Sequence, residues 1–311
     1  MPPPSILLLG HGELGASILE ALQTHTSVST PKAKPPITLA TRKRPSPSLV
    51  KILNSHSVSH QLLDITTSSL SQLSTFFRNF DTLISATGMA LPPGSQRKLA
   101  EAAIIASEPN SSGQRLKTYL PWQYGVDYDV IGHTDGAMPL FDEQLSVRQL
   151  LRSQSNLDWV VVSVGMFTEF LFSLSFGVIG DGIVHPLGTP GTLLTITSTT
   201  DVGKAVAEAA LVPPRKGENG FDHGVVKVAG DTLSYEGIAT VLGRWQGRKW
   251  VCEEMDRSLL GDDMMGRYRK IFGNGKGVAW EREGSWGEQR NLQLQGLEDW
   301  VAVTWGKEDE G

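Results

Sequence analysis

The 311-residue sequence contains a single cysteine, Cys252, and no apolar run long enough to cross a bilayer. One cysteine excludes an internal disulfide and is typical of proteins from reducing compartments. A membrane-spanning helix needs about 20 consecutive apolar residues. The first apolar run, 5–9, is the first predicted strand; it is too short for a signal peptide and has no basic segment before it. We therefore expect a cytoplasmic protein without a membrane partner.

The sequence also has no excess of positive charge. It contains 28 Lys and Arg and 33 Asp and Glu, which gives a net charge of -5. This balance argues against a nucleic-acid partner. The chain has neither a phosphate-binding P-loop nor the Gly-x-Ser-x-Gly turn of serine hydrolases. His56 and His60 flank a predicted strand with no third ligand close by, so no metal site is predicted.

A glycine-rich turn joins the first predicted strand to the first predicted helix. Gly10 permits a tight turn, Gly12 lets the backbone approach a pyrophosphate, and Gly15 lets helix and strand pack closely. The helix N-terminus then presents unpaired N–H groups to phosphates. The residues predicted to bind a dinucleotide here are Gly10, His11, Gly12, Glu13, Leu14 and Gly15.

Apolar runs alternate with amphipathic segments through the first half of the chain. The further predicted strands are 36–41, 57–63, 81–86, 116–120 and 159–164, and the predicted helices between them are 48–54, 69–77, 95–106 and 142–153. Strands of this kind form a parallel sheet covered on both faces. With right-handed crossovers, the pattern predicts an α/β fold with a Rossmann-type, doubly wound parallel sheet.

Three basic residues, Arg42, Lys43 and Arg44, follow the second strand, where a site for NAD would have a carboxylate. Positive charge there favours NADP(H), because its 2′-phosphate binds a guanidinium well. The alternative is a solvated basic loop. We predict that Thr41, Arg42 and Lys43 contact the cofactor, with Arg42 the principal residue.

The small residues that end the fourth strand would let the cofactor pass close to the backbone. Ala86, Thr87 and Gly88 are therefore predicted to contact it, although an ordinary turn explains them equally well. Asp64, after the third strand, lies beside the adenine or caps a helix.

The pattern changes after Val164, and six of the eight tryptophans lie beyond residue 240. We predict an NADP-binding Rossmann domain over 1–164 and an integrated, smaller α+β substrate-binding lobe over 165–311. Aromatic and methionine side chains suit flat aromatic or prenylated ligands, although core packing is the alternative. A carboxylate among them would be exposed, paired or placed for a substrate amine. The predicted substrate-binding residues are Met166, Phe167, Glu169, Phe170 and Phe176.

Several segments beyond the glycine turn carry a resemblance to a known family. These are 120–127 (Leu-Pro-Trp-Gln-Tyr-Gly-Val-Asp), 141–148 (Phe-Asp-Glu-Gln-Leu-Ser-Val-Arg), 163–167 and 200–203. Together they resemble the NmrA-like and isoflavone-reductase-like branch of the short-chain dehydrogenase/reductase superfamily, to about residue 250. The proportions suggest a fungal member from secondary metabolism.

The resemblance implies an NADP(H)-binding lobe, in which Gln123 and Gly165 also contact the cofactor. Gln144 stands at the position of the family's lysine, while Trp122 and Gln123 replace its usual serine and acidic residue. The chain also has no Tyr-x-x-x-Lys pair of the ordinary short-chain type. A glutamine can donate a hydrogen bond but cannot shuttle a proton.

Tyr124 is the first candidate for the missing hydrogen-bond donor or acid, because it lies where the fifth strand meets the expected cleft. Its ordinary pKa of about 10 suits this role only if the surroundings shift it, and packing against the nicotinamide is the alternative. His133 and Asp127 are second candidates, and a solvated loop histidine is the plainer interpretation of His133.

The sequence thus predicts an NADP(H)-dependent oxidoreductase acting on a small natural-product intermediate. Hydride would pass to or from a C=O, C=N or conjugated C=C bond, with or without coupled ring closure. The alternative is a non-catalytic NADP sensor of the NmrA type that binds a protein partner. The sequence leaves the oligomeric state open.

Overall fold

The computed structural model describes residues 3–28, 34–254 and 261–304. The chain forms two compact units. The first comprises Met1–Gln123, Glu143–Val162 and Gly203–Val225, and the second comprises Tyr124–Asp142, Ser163–Val202 and Val226–Gly311. The sequence prediction instead divided the chain once, after residue 164.

Six short strands of the first unit form a parallel sheet in the order β3-β2-β1-β4-β5-β6. They are β1 Ile6–Leu9, β2 Ile37–Thr41, β3 Ser59–Leu62, β4 Thr82–Ser85, β5 Thr118–Leu120 and β6 Asp158–Trp159. Leu8 pairs with Leu39 on one side and with Ile84 on the other. The order reverses between β1 and β4, which is the topological switch point of a Rossmann-type sheet. The predicted fold class is confirmed.

The remaining strands form smaller sheets. They are β7 Val161–Ser163, β8 Met166–Phe167, β9 Ile183–Val184, β10 Leu193–Thr197, β11 Phe221–Asp222, β12 Val225–Lys227, β13 Asp231–Ser234 and β14 Val251–Cys252. The sheet orders are β13-β10-β8, β11-β12-β7 and β14-β9. The run predicted as one strand over 159–164 is therefore divided between two sheets, with β6 in the large sheet and β7 in a smaller one.

Twelve α-helices lie within the described ranges. They are α1 Glu13–Thr24, α2 Pro47–Ser55, α3 Leu70–Phe77, α4 Ser95–Ala106, α5 Tyr128–Ile131, α6 Pro139–Arg152, α7 Thr168–Leu171, α8 Thr199–Leu211, α9 Tyr235–Gln246, α10 Met264–Gly273, α11 Trp286–Gln289 and α12 Leu297–Thr304. Local signals set several of their starts. Ser46 caps α2 ahead of Pro47, and Ser69 and Gln72 form a capping box on α3.

Helix α8 explains why residues 203–225 group with the first unit. A Cβ on Gly203 would lie 2.6 Å from the Ser17 carbonyl oxygen, so α8 packs closely on α1. His25 Nε2 lies 2.7 Å from a carboxylate oxygen of Glu208, which joins the same two helices. Such contacts connect residues almost 200 positions apart and leave no local mark in the sequence.

Each unit has its own apolar core. In the first, all four residues of β1 are buried, and Leu73, Phe77 and Leu99 of α3 and α4 pack into one cluster. The second unit's core is richer in aromatic rings. Tyr128 packs edge-on against Phe141 at 5.0 Å, and Phe141 against Tyr268 at 5.3 Å. Edge-to-face pairs of this kind add stability beyond the area that they bury.

Gly165 connects β7 to β8 in a left-handed conformation, with φ at +76°. A Cβ there would lie 2.2 Å from the Thr195 carbonyl oxygen of β10. Close packing against β10 therefore requires glycine at this position, whether or not Gly165 also contacts a cofactor.

We expect Gly165→Ala to lower stability far more than Gly113→Ala. Gly113 has almost the same φ, +77°, but no atom lies within 4 Å of its Cβ position. The left-handed conformation alone costs about 1–2 kcal/mol, and the forced overlap at Gly165 adds about 1–3 kcal/mol. Urea unfolding of both variants measures the difference, and equal losses would contradict the packing account.

Candidate functional site

The glycine turn lies at the switch point, between β1 and α1. Gly10 has φ at +94°, and a Cβ on Gly15 would lie 2.3 Å from the Gly10 carbonyl oxygen. Both positions therefore require glycine for backbone reasons. The Cβ position of Gly12, in contrast, faces open space, and Gly12 begins α1 without a side-chain cap. The first N–H groups of α1 are thus left for an outside acceptor.

A cleft of about 350 Å³ opens beside this turn, at the carboxyl ends of β1 to β4. Its lining includes seven of the predicted cofactor-binding residues: Gly10, His11, Gly12, Thr41, Arg42, Lys43 and Thr87. The other lining residues are Leu9, Ala40, Leu63, Asp64, Ile65, Ala90 and Leu91. Leu14 is buried, and with Glu13, Gly15, Ala86 and Gly88 it does not line this cleft.

The basic turn after β2 has a fixed local structure. The Thr41 hydroxyl donates to the Lys43 carbonyl oxygen at 2.7 Å and lies 2.7 Å from His60 Nε2. The hydroxyl hydrogen of Thr41 therefore takes part in a bond within the turn, and this bond stabilises the conformation of the turn. Arg42 and Lys43 themselves are exposed along the cleft.

Asp64 is the carboxylate of this cleft. Hydrogen bonds from the Thr66 hydroxyl and backbone N–H hold the pKa of Asp64 below its ordinary value, and the positive charge of Arg42 contributes less. Its Oδ1 accepts both Thr66 bonds, at 2.6 and 2.9 Å. The carboxylate thus stabilises its own turn and also faces the cleft.

His11 contributes a neutral side chain to the cleft. Burial lowers the pKa of His11 below its ordinary value of 6.5, against the smaller opposite effect of a backbone hydrogen bond. The imidazole is therefore mostly uncharged at neutral pH. Positive charge along the cleft comes from Arg42 and Lys43 instead.

Trp122, at the end of β5, explains the glycine at position 88. A Cβ on Gly88 would lie 2.0 Å from two carbons of the Trp122 indole, so the ring lies directly on Gly88. Sequence reasoning assigned Gly88 to the cofactor and gave Trp122 no role. The sequence did contain a signal for this contact, because the large Trp122 stands where the family has a serine.

Three neighbouring polar residues form a buried network between β5 and α6. The Gln123 amide nitrogen donates to the Gln144 backbone carbonyl oxygen at 3.0 Å, and Arg148 Nε donates to Gln123 Oε1 at 2.8 Å. All three residues are buried, Gln144 with none of its surface exposed. The Gln144 side-chain amide is outside this network, since neither Oε1 nor Nε2 has a hydrogen-bond partner among the described residues.

A buried amide without partners is costly, by about 1–3 kcal/mol for each unsatisfied group in mutational data. Its neighbours cannot satisfy it, because Gln123 is already bonded to Arg148 and to the backbone of α6. An amide kept in this state is typical of a functional site, where a ligand or ordered water supplies the missing partners.

Glu143 fixes the position of Gln144 through the backbone of α4. Its carboxylate accepts hydrogen bonds from the N–H groups of Gly94, Gln96 and Arg97 at 2.8–3.1 Å, which caps α4. These bonds hold the part of α6 that belongs to the first unit, which begins at Glu143, against the start of α4. Sequence reasoning missed this residue, because a cap supplied by a distant helix has no local spacing signal.

Of the candidates in the second unit, Asp127 has a structural role. It caps α5 through bonds from the Asp129 and Val130 N–H groups, and its carboxylate pairs with Lys227 Nζ at 2.8 Å. The His133 side chain is 60% exposed and lies 3.9 Å from Asp142. Tyr124 is buried. Asp127 and His133 thus have ordinary structural explanations.

Three of the five predicted substrate-binding residues form an aromatic stack. Phe167 stacks on Phe170 at 5.3 Å, and Phe170 on Phe176 at 5.1 Å. Met166 and Phe176 are buried, whereas Phe167 and Phe170 are half-buried. Phe167 and Phe170 therefore retain surface that a ligand could contact.

Glu169 is paired, which was one of the three alternatives for this carboxylate. Its Oε1 accepts a hydrogen bond from the Thr199 N–H at 2.9 Å, at the start of α8. An acidic side chain at a helix N-terminus is stabilised by the helix dipole. This contact explains a carboxylate among aromatic rings without a substrate amine.

No helix in the described ranges has both the length and the apolarity required to cross a membrane. The same residues contain no group of three or more His, Cys, Asp and Glu placed to hold a metal ion.

Comparison with solved structures finds the same fold in several proteins, some of them described as reductases. An isoflavone reductase matches with a TM-score of 0.73 and 16% identity over 96% of this chain and 98% of that one. AtPrR2, solved with NADP+ and (+)-pinoresinol, matches with a TM-score of 0.72 and 14% identity over 97% and 99% of the two chains. Leucoanthocyanidin reductase from Vitis vinifera, in complex with NADPH, matches with a TM-score of 0.71 and 15% identity over 96% and 98%.

Sequence comparison gives a nearer relative. A protein from Gibberella moniliformis described as an NmrA-like family domain-containing oxidoreductase is 37% identical over 308 residues, which cover 96% of this chain and 97% of that protein. The profile of the NmrA-like family matches residues 5–269. The predicted resemblance is therefore confirmed, and the chain belongs to the NmrA-like family.

Proposed function

We propose that this protein is an NADP(H)-dependent oxidoreductase that acts on a small organic molecule, a natural-product intermediate. The observation that carries the proposal is the cleft beside Gly12, where an uncapped helix N-terminus lies next to two exposed cations. The description of the Gibberella relative as an oxidoreductase supports it. So do the structural neighbours solved with NADP+ or NADPH.

The cleft fits a phosphorylated dinucleotide. The bare backbone at Gly12 leaves room for a pyrophosphate against the N–H groups of α1. Arg42 and Lys43 would bind the 2′-phosphate, because a guanidinium offers paired donors and the end of β2 carries no carboxylate. The cleft's own carboxylate, Asp64, is already hydrogen-bonded to Thr66.

Arg42→Gln should weaken NADPH binding about 10- to 100-fold, since a charge-assisted hydrogen bond is worth about 1.5–3 kcal/mol. NADH binding should change little, because NADH lacks the 2′-phosphate. Arg44→Gln is the matched control, since Arg44 belongs to the same turn but does not line the cleft. Calorimetric titration with both nucleotides measures the effect. Equal weakening of NADPH and NADH would contradict the assignment of Arg42 to the phosphate.

When bound, the nicotinamide supplies or accepts a hydride. The Gln144 amide would hydrogen-bond to the reacting group or to the nicotinamide ribose, which would satisfy its unpartnered atoms. Gln144 carries no charge and cannot release a proton at neutral pH. Orientation would thus supply much of the rate.

A neutral amide at this position favours substrates that are already electrophilic. An iminium carbon accepts hydride without any proton, and an extended enone takes its proton from water after the hydride has reached the β-carbon. Tyr124 remains our candidate for a proton donor within the chain, and Phe167 and Phe170 for contacts to a flat or prenylated substrate. Ring closure in a reactive, still electrophilic intermediate is a further step for which the cofactor and the pocket would set up the geometry.

Gln144→Met should raise stability and abolish turnover. Methionine fills a similar volume without a polar group, so the free energy of unfolding should rise by about 1–3 kcal/mol. Gln123→Met is the matched control. It should lower stability by a similar amount, because it removes the bonds to Arg148 and to the Gln144 carbonyl. Urea unfolding and NADPH oxidation with a panel of imine and enone compounds measure the two effects.

If Gln144→Met lowers stability, the claim that the Gln144 amide has no partner is contradicted. If the variant keeps full turnover, the claim that Gln144 takes part in the reaction is contradicted. The same assay tests the second candidate function, a non-catalytic NADP sensor. The neutral residue in place of the family's lysine favours that alternative. Tight NADPH binding without turnover of any compound in the panel would support the sensor over the enzyme.

A further inference from the structure

A second concave site lies wholly within the second unit, between the segment that links α5 to α6 and helix α10. Its volume is about 470 Å³. Small-molecule pockets commonly measure about 300–1,000 Å³. None of the chemistry proposed above uses this site, so its lining requires an explanation of its own.

Three cations contribute to the lining of the site. Arg267, Lys270 and Lys276 line it, although the whole chain has a net charge of -5. Ile131 and Ile271 give the same site an apolar surface. A cavity lined by both cations and aliphatic groups suits a ligand with a charged end and an apolar body.

Asp262, a carboxylate in the lining of the site, is already ion-paired with Lys270. Its Oδ1 lies 2.6 Å from Lys270 Nζ, and its backbone carbonyl accepts a hydrogen bond from Arg267 Nε at 2.8 Å. The terminal guanidinium nitrogens of Arg267 have no partner in the part of the chain that the structure describes. Lys276 likewise has no ion-pair or hydrogen-bond partner within those ranges.

We propose that this site binds a small organic anion, with a carboxylate or phosphate held by Arg267 and Lys276 and an apolar body on Ile131 and Ile271. A guanidinium presents two parallel donors, which match two oxygens of a carboxylate or phosphate. The lysine adds a second positive charge. His133, which the sequence suggested as a catalytic residue, also lines this site.

Calorimetric titration of the full-length protein with three naphthalene probes tests the proposal. The probes are 2-naphthoate, 1-naphthyl phosphate and the neutral 2-naphthamide. The anion that binds more tightly should bind at least 10-fold more tightly than the amide. Which anion this is identifies the preferred head group, a carboxylate or a phosphate. Binding should weaken with rising salt, because exposed charges are screened.

Variants locate the binding. Arg267→Gln and Lys276→Gln should each weaken the preferred anion about 10-fold. Lys51→Gln, which removes an exposed cation on α2, should leave its affinity unchanged. Lys276 is exposed, so its variant should fold normally, and circular dichroism checks this.

Arg42→Gln distinguishes this site from the cofactor cleft. The proposal is overturned if Arg42→Gln abolishes binding of the anion while Arg267→Gln and Lys276→Gln do not. It is also overturned if the amide binds as tightly as both anions, or if neither anion binds below about 10 mM. None of these outcomes bears on the Gln144 or NADPH predictions, so the two proposals fail separately.

Discussion

The closest backbone contact of the glycine turn determines where the N-terminus of α1, the proposed phosphate site, lies. Gly15 brings α1 so near to the Gly10 carbonyl oxygen that a Cβ would overlap it at 2.3 Å. This contact sets where α1 starts relative to β1, and therefore where its uncapped N–H groups lie. Arg42 and Lys43 reach the same cleft because β2 pairs with β1 in register. The cofactor proposal thus depends first on a packing constraint, and only then on charge.

A second constraint acts on the candidate reaction chemistry. Glu143 holds α6 on the backbone of α4, and Arg148 and Gln123 bond to each other beside it. Among Gln123, Glu143, Gln144 and Arg148, the buried side-chain atoms without a hydrogen-bond partner in the described ranges belong to Gln144. A site organised in this way orients a ligand well but has little capacity to move a proton. That combination accommodates both proposed functions, because a sensor needs orientation alone and an enzyme with this residue needs a reactive substrate.

The parts that could be predicted from sequence are those set by neighbouring residues. The alternation of strands and helices, the start of α4 and the glycine turn follow from local pattern, and all were found. The reasons for Gly88 and Gly165 were missed, since they depend on Trp122 and Thr195, which are distant in the chain. Glu169 was expected to be exposed, paired or substrate-binding, and only the fold pairs it with the start of α8. The two units of the structure have other bounds than the predicted division after residue 164, since residues 203–225 contact the first unit through pairs such as His25 with Glu208.

Charge is distributed unevenly between surface and sites. The chain is acidic overall, yet both clefts discussed above place exposed cations beside apolar or bare backbone surface. An acidic surface repels anions in general, so anions that do bind must be attracted over a short range. The Debye length is about 8 Å at physiological ionic strength, so the cations within one cleft act together on a bound anion. On both proposals, selectivity at each cleft would therefore follow from its own few cations and from the shape beside them, rather than from the net charge of the protein.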